Sequence, residues 1–354
     1  MHLHEVVSHV VGVDTHKDSH TAAVLDARTG GVQGQDTVHA SRDGYDALIE
    51  LADEHSAPGD RAWAIEGTGS YGAGLAEHLS ARGEWVIEID RPTRPARRDG
   101  AKSDDLDAVR AAREALARHR WAAPRARGAR EAMRVLVTTR QAAVRDRTRA
   151  INALKAMVVS APGPLRERLR TATTGDLVDR CAHLRDTPTR PQDHRATVAA
   201  LRRLAQRIKH LNLEITEHDR DLNELTAQHC PQLVAEYGIG PIVAAQTYIS
   251  WSHPGRCRHE AAFANLAGVA PIDASSGQVV RRRLNRGGDR QLNVALHTIA
   301  LSRARGHAPP QAYTARRIAE GKTTREARRC LKRYLARHLY RLLEHPPQPT
   351  LDRT

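Results

Sequence analysis

Cysteine and aromatic residues are sparse in this sequence, and long apolar runs are missing. The four cysteines lie far apart and form no C-x-x-C pair, which argues against a disulfide framework and against a cysteine zinc site. No segment approaches the roughly 20 consecutive apolar residues of a membrane span. The N-terminus also lacks the basic segment and apolar core of a signal peptide. We therefore expect a cytoplasmic protein with reduced thiols and no membrane partner.

Acidic residues are outnumbered by basic ones. The 354 residues include 55 Lys and Arg against 41 Asp and Glu, which gives a formal net charge of +14. Arginine is far commoner than lysine, and codon usage in a GC-rich genome explains part of that choice but not the excess of bases over acids. Basic surfaces gain affinity for nucleic acids because the phosphates release condensed counterions. The charge therefore predicts a nucleic-acid partner.

Residues 1–115 predict an α/β domain. Apolar, β-branched segments indicate strands at 6–13, 20–26, 31–39, 61–66 and 84–89. Amphipathic segments indicate helices that begin near 41, 71 and Ser103. The order β-β-β-α-β-α-β-α predicts a mixed sheet with helices packed on it.

The remaining chain predicts mainly helices. Residues 116–230 form a basic region with the pattern of a long helical hairpin or coiled coil, interrupted by a Pro/Thr-rich stretch near 161–192. Between Arg113 and Arg149, eleven arginines stand against three acids. Arg140 and Arg147 are our candidate nucleic-acid contacts there, although an arm that only dimerises or spaces domains fits equally well. A third domain at 231–345 and a tail at 346–354 follow.

Clustered carboxylates are the unusual feature of so basic a chain. The stretch AKSDDLDAV holds three aspartates near a predicted helix start. Asp104 and Asp107 are three positions apart and share a helix face, whereas Asp105 points elsewhere. A helix N-terminus favours acids by about 0.3–1 kcal/mol each without any ligand. The cluster alone therefore does not define a site.

Two further acids stand at strand ends. Asp14 follows the apolar run VVGV, and Glu66 ends the strand RAWAIE just before the glycine-rich GTGSYG. A turn residue is the simpler interpretation of Asp14. In the predicted sheet, however, the first and fourth strands can lie side by side with the later helix packed against them. The four acids then converge.

Convergent carboxylates raise one another's pKa values unless a cation is present. Mg²⁺ keeps them ionised and leaves coordination positions for water and phosphate oxygens, and Mn²⁺ is the alternative ion. Two ions about 3.5–4 Å apart would activate an attacking oxygen and stabilise a leaving one. The predicted chemistry is phosphoryl transfer on nucleic acid.

The C-terminal region contains a second candidate site. GIGPIVAA predicts a turn with Gly238 and Gly240, followed by a helix whose N–H groups could meet a phosphate. Downstream, Ser275 and Ser276 precede a basic run, and a hydroxyl among guanidinium groups can attack a phosphodiester. Such glycine and serine patterns are also common in ordinary loops. The candidate nucleic-acid contacts are Arg281, Arg282, Arg283 and Arg286.

At these residues the chain resembles the Asp-Glu-Asp-Asp transposases of the insertion sequence 110 family. VGVDTHKDSH, AIEGTGSYG and KSDDLDA are similar to the three N-terminal motifs of that family. GIGPIVAAQ, FANLAGVAP, SSG and NRGGDR are similar to its C-terminal transposase domain. The resemblance covers about 9–110 and 235–305, while SWSHPGRCRHEAA departs from the Gly-Asp and aromatic pattern expected there.

The resemblance implies a RuvC-like, RNase H-like catalytic domain followed by a nucleophilic-serine domain. It implies that Ser276, with Ser275 as the alternative, forms a phosphoserine intermediate during recombination of donor and target DNA. It also implies a structured guide RNA, the bridge RNA of the element. Few aromatic residues are available to read bases, with Phe263 the single phenylalanine, which fits recognition by pairing. The metal ligands it implies are Asp14, Glu66, Asp104 and Asp107.

We further expect a dimer or tetramer associated with the nucleoid in the bacterial cytoplasm. Two other functions stay open. A Holliday-junction-type nuclease would use water as nucleophile and would need only the four acids. A nucleic-acid-binding architectural protein would have decayed acids, but all four are present with their spacing intact. The histidines, including His16 and His20, show no metal-ligand spacing and are predicted to be surface or core residues.

Overall fold

The computed structural model describes residues 2–89, 104–170, 173–273, 282–283 and 285–346. The chain divides into two compact units, Met1–Ala126 and Arg127–Thr354. The finer division at 115 and 230 stays a prediction. Within the described ranges, none of the helices combines the length and apolar character needed to cross a membrane.

The N-terminal unit has the predicted element order, which begins after a short 3-10 turn at Leu3–Glu5. Its strands are β1 (His9–Thr15), β2 (Ser19–Asp26), β3 (Val32–His39), β4 (Arg61–Glu66) and β5 (Trp85–Ile89). Its helices are α1 (Arg42–Asp53), α2 (Ala73–Ala81) and α3 (Asp104–Ala117). The predicted cap at Ser103 lies outside the described residues.

The five strands form one mixed sheet in the order β3-β2-β1-β4-β5. β1 is antiparallel to β2 and parallel to β4, and β4 is parallel to β5. The predicted α/β class is therefore confirmed, as is the adjacency of the first and fourth strands.

Alternation along the strands gives the sheet two apolar faces, because successive side chains point to opposite sides. Val10, Ala62 and Ala64 pack with the buried alanines of α3 on one face. Val13 and Ile65 pack with α1 and α2 on the other. The sheet is covered on both sides, as its apolar central strands require.

A buried ion pair holds the start of β4. The side chain of Arg61 is fully buried; its Nε donates to Glu84 at 3.0 Å and its Nη1 to Asp53 at 2.6 Å. Trp63 Nε1 also donates to Glu84, at 2.8 Å. A buried guanidinium persists only when paired and hydrogen-bonded, so this network secures the end of β4 that is opposite to Glu66.

The C-terminal unit begins with two long helices, α4 (Ala129–Val159) and α7 (Gln192–His229), which pack as an antiparallel hairpin. The predicted interruption near 161–192 contains two further helices, α5 (Gly163–Arg170) and α6 (Thr174–Ala182). They form because Leu165, Leu169 and Leu177 share one core with the α4–α7 hairpin. Supercoiling of the hairpin stays a prediction.

The last part of the chain is mainly helical, as predicted. Its elements are α8 (Pro231–Val234), α9 (Pro241–Trp251), α10 (Glu260–Leu266), β6 (Ile272–Asp273), β7 (Arg282–Arg283), α11 (Arg290–Gly306), α12 (Ala308–Ala319) and α13 (Thr324–Glu344). Leu296, Leu335 and Phe263 form its core together with Met133 of α4 and Leu222 of α7. The near ends of the hairpin therefore belong to the same packed unit.

Candidate active site

Two of the predicted acids stand at neighbouring ends of the central parallel strands. The parallel register pairs Val13 with Ile65, and both side chains lie on the face of α1 and α2. The next residues, Asp14 and Glu66, therefore lie on the opposite face, which α3 covers. Thr15 fastens the two strand ends together, because its Oγ1 donates to the Glu66 carbonyl oxygen at 2.8 Å.

Gly12 allows α3 to approach this edge closely. A Cβ placed on Gly12 would lie 2.1 Å from the Ala108 carbonyl oxygen and 2.6 Å from the Ala112 nitrogen. Only glycine leaves room for backbone at such a distance. The first turn of α3 is thus held against the end of β1.

Asp104 and Asp14 meet at His16. The His16 Nε2 atom lies 3.2 Å from Asp14 Oδ2 and 3.4 Å from Asp104 Oδ1. The three ligand atoms lie within 4.8 Å of one another, close enough to bind a single metal ion. The Asp14 side chain is 15% exposed, against 53% for Asp104, so the site has a sheltered side and an open one.

The electrostatics of Asp14 fit a cation site. Burial raises the pKa of its carboxyl, and the nearby charges of Asp107 and Asp104 raise it further, while His16 acts in the opposite direction. Without a cation, these surroundings make the charged form of Asp14 less favourable than it is in water. A divalent ion would offset that cost, because its charge favours the ionised carboxylate.

The other two predicted ligands stand beside this group of three. Asp107 lies close enough to Asp14 to influence its pKa, and it accepts a hydrogen bond from Arg110 at 2.6 Å. Glu66 is partly buried on the neighbouring strand. Asp105, predicted to point elsewhere, is exposed and lies outside the metal-binding group.

Sequence reasoning missed His16. A histidine two positions after a strand-end aspartate lies on the same side of an extended chain, and this spacing was the available signal. By itself this spacing does not indicate a metal ligand, because many surface histidines share it. The contact of His16 with Asp104, 88 positions along the chain, is created by the packing of α3.

In the C-terminal unit, Gly238 and Gly240 form the turn before α9. Gly238 has a φ of 78°, in the left-handed region that favours glycine. Gly240 is the N-cap of α9, and among the described residues no side chain caps the backbone N–H groups in the first turn of α9. A phosphate could approach Gly240 freely, because a Cβ placed there would meet no atom within 4 Å.

Arg303 holds that turn in place. Its side chain is 5% exposed, its Nε donates to the Tyr237 carbonyl oxygen at 2.9 Å, and its Nη2 donates to Glu236 at 2.6 Å. Burial alone would raise the pKa of Glu236, but the hydrogen bonds and charges of Arg303 and His338 outweigh it and lower the pKa below its ordinary value.

The region around the predicted serine is described on both flanks. Strands β6 and β7 pair antiparallel, while Ser275, Ser276 and Arg281 lie outside the described residues, and for Arg282 the backbone alone is described. Arg283 and Arg286 are exposed. The basic segment then returns to the core.

Asp289 joins the end of this basic segment to the helical core. Its backbone N–H donates to the Leu266 carbonyl oxygen at 2.6 Å, and its side chain caps α11. Ser250 donates to the same carboxylate at 2.7 Å. Two separated motifs, FANLAGVAP and NRGGDR, thus come together.

The two candidate arginines of the hairpin make interhelical contacts. Arg140 on α4 is paired with Asp219 on α7, and Arg147 Nη1 donates to Asn212 Oδ1 at 3.2 Å. Both contacts stabilise the pairing of the helices. Nucleic-acid binding by these two residues stays a prediction.

The fold and the site together define the class. A mixed five-stranded sheet with acids at the adjacent ends of its two central parallel strands, covered by a helix that adds further acids, is a RuvC-like, RNase H-like domain. Here it is followed by a helical unit with a basic, glycine-rich segment.

Comparison with known families identifies the chain more closely. A family model of Asp-Glu-Asp-Asp (DEDD) type for IS110, described as Transposase, matches residues 11–161. A second, described as Transposase IS116/IS110/IS902 family, matches residues 233–316. The chain belongs to the IS110 family of transposases, and the resemblance drawn from its motifs is confirmed. A search of curated proteins finds no match.

Membership in this family has direct consequences. The protein is a transposase of an insertion sequence, its substrate is DNA, and its reaction cuts and rejoins DNA. The Asp-Glu-Asp-Asp type implies dependence on a divalent metal ion, for which Asp14, His16 and Asp104 supply a group of ligand atoms.

Proposed function

We propose that this transposase is a site-specific recombinase that exchanges DNA strands through a phosphoserine intermediate. The observation that carries the proposal is the meeting of Asp14 and Asp104 at His16, with Glu66 and Asp107 beside them. Carboxylates gathered at the end of a sheet, in a chain of net charge +14, suit a metal-assisted reaction on a polyanion.

The metal in this proposal is Mg²⁺, with Mn²⁺ as the alternative. Carboxylate oxygens are the ligands that both ions prefer, and Asp14, Glu66, Asp104 and Asp107 supply them. His16 Nε2 would complete the set or orient Asp14 and Asp104 through hydrogen bonds. Bound metal would lower the barrier by stabilising charge on the attacking and leaving oxygens.

The nucleophile in this proposal is Ser276, with Ser275 as the alternative. Its Oγ forms a bond to phosphorus, and the bond from phosphorus to the leaving deoxyribose oxygen breaks. The proton released by serine ends on that leaving oxygen. One phosphodiester is exchanged for another, so the bond is stored for rejoining and ATP is not needed.

Arginines and a backbone turn would hold the reacting strand. Arg283 and Arg286 are exposed beside the β6–β7 strand pair, and with Arg281 and Arg282 they would neutralise charge on the phosphoryl oxygens. The uncapped N–H groups at the start of α9 would bind a phosphate further along.

The remaining partners are also part of the proposal. A structured guide RNA from the element would choose donor and target DNA by pairing, leaving the protein to bind backbone. Two or four copies of the chain would be needed to hold both DNA partners. Purifying the protein from cells and sequencing the nucleic acid that accompanies it tests this: one structured RNA from the flanks of its own gene is expected, and random fragments would contradict it.

A covalent adduct tests the chemistry. Incubated with nicked DNA and Mg²⁺, the wild type should form a protein–DNA adduct that resists denaturation, and Ser276→Ala should abolish it. Ser275→Ala is the matched control and should retain it. An adduct lost only in Ser275→Ala would show that Ser275, and not Ser276, is the nucleophile.

A metal-dependent nuclease that uses water as nucleophile is the second candidate. The same observation favours it, because the grouping of acids in the N-terminal unit does not involve the serine. DNA cleavage that depends on Asp14, without any adduct in the wild type, would establish the nuclease and exclude the recombinase mechanism.

A further inference from the structure

Tyr71 is an exposed aromatic residue in the loop after Glu66, and nothing in the chemistry above uses it. It lies in the loop GTGSYG that follows Glu66, and 59% of its surface is exposed. In a chain with only 3% aromatic residues, a solvent-exposed tyrosine at the sheet edge that carries the acids is a candidate for a function.

The loop holds Tyr71 at the same sheet edge as Asp14. A Cβ placed on Gly72 would lie 3.1 Å from Thr15 Cγ2 and 3.1 Å from the Glu66 carbonyl oxygen. Gly72 therefore packs at the ends of β1 and β4, on the sheet face of Ile65 and Thr15, which is opposite to the Asp14 side chain. Tyr71 is its neighbour in sequence, with Cα atoms about 3.8 Å apart.

The same loop has a defined shape. Gly67 has a φ of 73°, and its carbonyl oxygen accepts hydrogen bonds from the N–H groups of Ser70 at 2.8 Å and Gly72 at 3.1 Å. Thr68 in the same loop is buried. Tyr71 is thus presented by an ordered turn rather than by a long open loop.

Other aromatic rings of the N-terminal unit are already packed. Trp63 is fully buried, Trp85 packs edge-on against Trp121, and Tyr45 stacks on His20. Within the described part of this unit, Tyr71 is the most exposed of the tyrosines and tryptophans. Its ring is therefore accessible to an incoming planar group.

A guanidinium lies over the same loop. Arg125 Nη1 is 3.8 Å from a Cβ placed on Gly69, and the side chain is 45% exposed, with Glu88 4.0 Å from its Nε. An aromatic ring and a cation presented at one loop match the two chemical features of a nucleotide, a flat base and an anionic phosphate.

We propose that Tyr71 stacks on a DNA base at the sheet edge where the acids hold a phosphodiester, and that Arg125 pairs with a nearby phosphate. This inference rests on the proposed function of the site. Base–aromatic stacking tolerates any base, since every base has a π-face. The contact would therefore hold the strand in place without selecting its sequence.

Photo-crosslinking tests the stacking. The probe is a random-sequence single-stranded oligodeoxynucleotide with 5-iodouracil in place of thymine, mixed with full-length protein carrying Asp14→Asn so that DNA is held and not cut. Mass spectrometry of the digest should find adducts on the peptide containing Tyr71 at about tenfold or more above those at Tyr334, which is similarly exposed at 55% but has a ring that stacks on Tyr313. Equal or absent adducts at Tyr71 overturn the proposal.

Activity measurements separate stacking from a structural role. Tyr71→Ala should weaken DNA binding and strand cleavage by about fivefold to a hundredfold, the range for loss of one stacked base. Tyr71→Phe and Tyr71→Trp should restore both, because stacking needs the ring and not the hydroxyl. Tyr334→Ala should behave as wild type.

Failure of this inference differs from failure of the proposed function. Metal-dependent cleavage at the wild-type rate in Tyr71→Ala would remove the stacking contact and leave the recombinase intact. A Tyr71 adduct in a protein that shows no metal-dependent cleavage would keep the contact and remove the proposed chemistry.

Discussion

Asp14 is the residue on which the candidate metal site depends most, because it is the most sheltered of the grouped ligands. We expect Asp14→Asn to weaken Mn²⁺ binding, measured by electron paramagnetic resonance, by more than the 10- to 100-fold typical of losing an outer-shell partner. The amide keeps the shape of the side chain and removes its negative charge.

Asp105→Asn is the matched control, since Asp105 adjoins Asp104 and lies outside the ligand group. It should leave Mn²⁺ affinity unchanged. Equal losses in the two variants would mean that general negative charge, rather than a defined site, attracts the ion.

Glu236 provides a prediction about pH. Its pKa is lowered in the folded protein from an ordinary value of 4.5, so the folded state binds its proton less readily than the unfolded state. The stability it contributes is present above about pH 4.5 and is lost as the pH falls through the lower folded pKa. Glu236→Gln should therefore reduce stability at pH 7, by about 1–3 kcal/mol.

Urea unfolding at pH 7 and at pH 3 measures this effect. The difference between wild type and Glu236→Gln should shrink at the lower pH, because a larger fraction of wild-type Glu236 is then protonated. Glu224→Gln, at an exposed position of α7, should stay within about 0.5 kcal/mol of wild type. A difference that persists unchanged at pH 3 would contradict the ionic account.

At the scale of elements, the packing of α3 on β1 brings the acids together. Gly12→Ala would place a methyl group 2.1 Å from the Ala108 carbonyl oxygen, and a helix backbone cannot yield locally as a side chain can. We expect α3 to shift, stability to fall by about 1–3 kcal/mol, and Mn²⁺ affinity to fall with it. Gly163→Ala, where a Cβ meets no atom within 4 Å, is the control.

The start of β4 offers a comparison between a buried and an exposed partner of one arginine. Glu84→Ala should cost about 3–5 kcal/mol in thermal or urea unfolding, because it leaves the buried Arg61 charge without its main partner. Asp53 pairs with the same guanidinium but is 48% exposed, so Asp53→Ala should cost about 0–1 kcal/mol. Similar losses of unfolding free energy in the two variants would mean that water hydrates the Arg61 guanidinium when Glu84 is removed.

Local sequence patterns predict the helices and strands of the N-terminal unit but not all of those in the C-terminal unit. The five strands and three helices of the N-terminal unit follow from apolar alternation and 3.6-residue periodicity. The Pro/Thr-rich composition of 161–192 predicts an interruption and gives no sign of the helices α5 and α6. The prolines are nevertheless compatible with α5, because Pro162 and Pro164 stand at or before its first turn, where proline is tolerated. Their stability comes from leucines packed on the α4–α7 hairpin.

For the whole molecule, the charge of +14 predicts strongly salt-dependent DNA binding. If six to ten phosphates are neutralised, affinity should fall by about 10³ to 10⁵ between 50 and 200 mM salt. The double variant Arg283→Gln, Arg286→Gln should reduce the slope of log affinity against log salt by about 1 per arginine.

Arg140→Gln is the informative control for that measurement. Arg140 is paired with Asp219 across the hairpin, so its replacement should lower stability and leave the slope unchanged. A reduced slope would instead assign Arg140 to the nucleic-acid interface.

The sequence by itself determined the class of the first domain, the strand ends at which Asp14 and Glu66 stand, and the shared face of Asp104 and Asp107. These features follow from periods of two and of 3.6 residues, which depend only on neighbouring positions. Tertiary structure decided the place of His16, the burial of Arg61 and the presentation of Tyr71. Each depends on which backbone segments pack together over tens of residues, above all on a helix that can approach β1 because position 12 has no side chain.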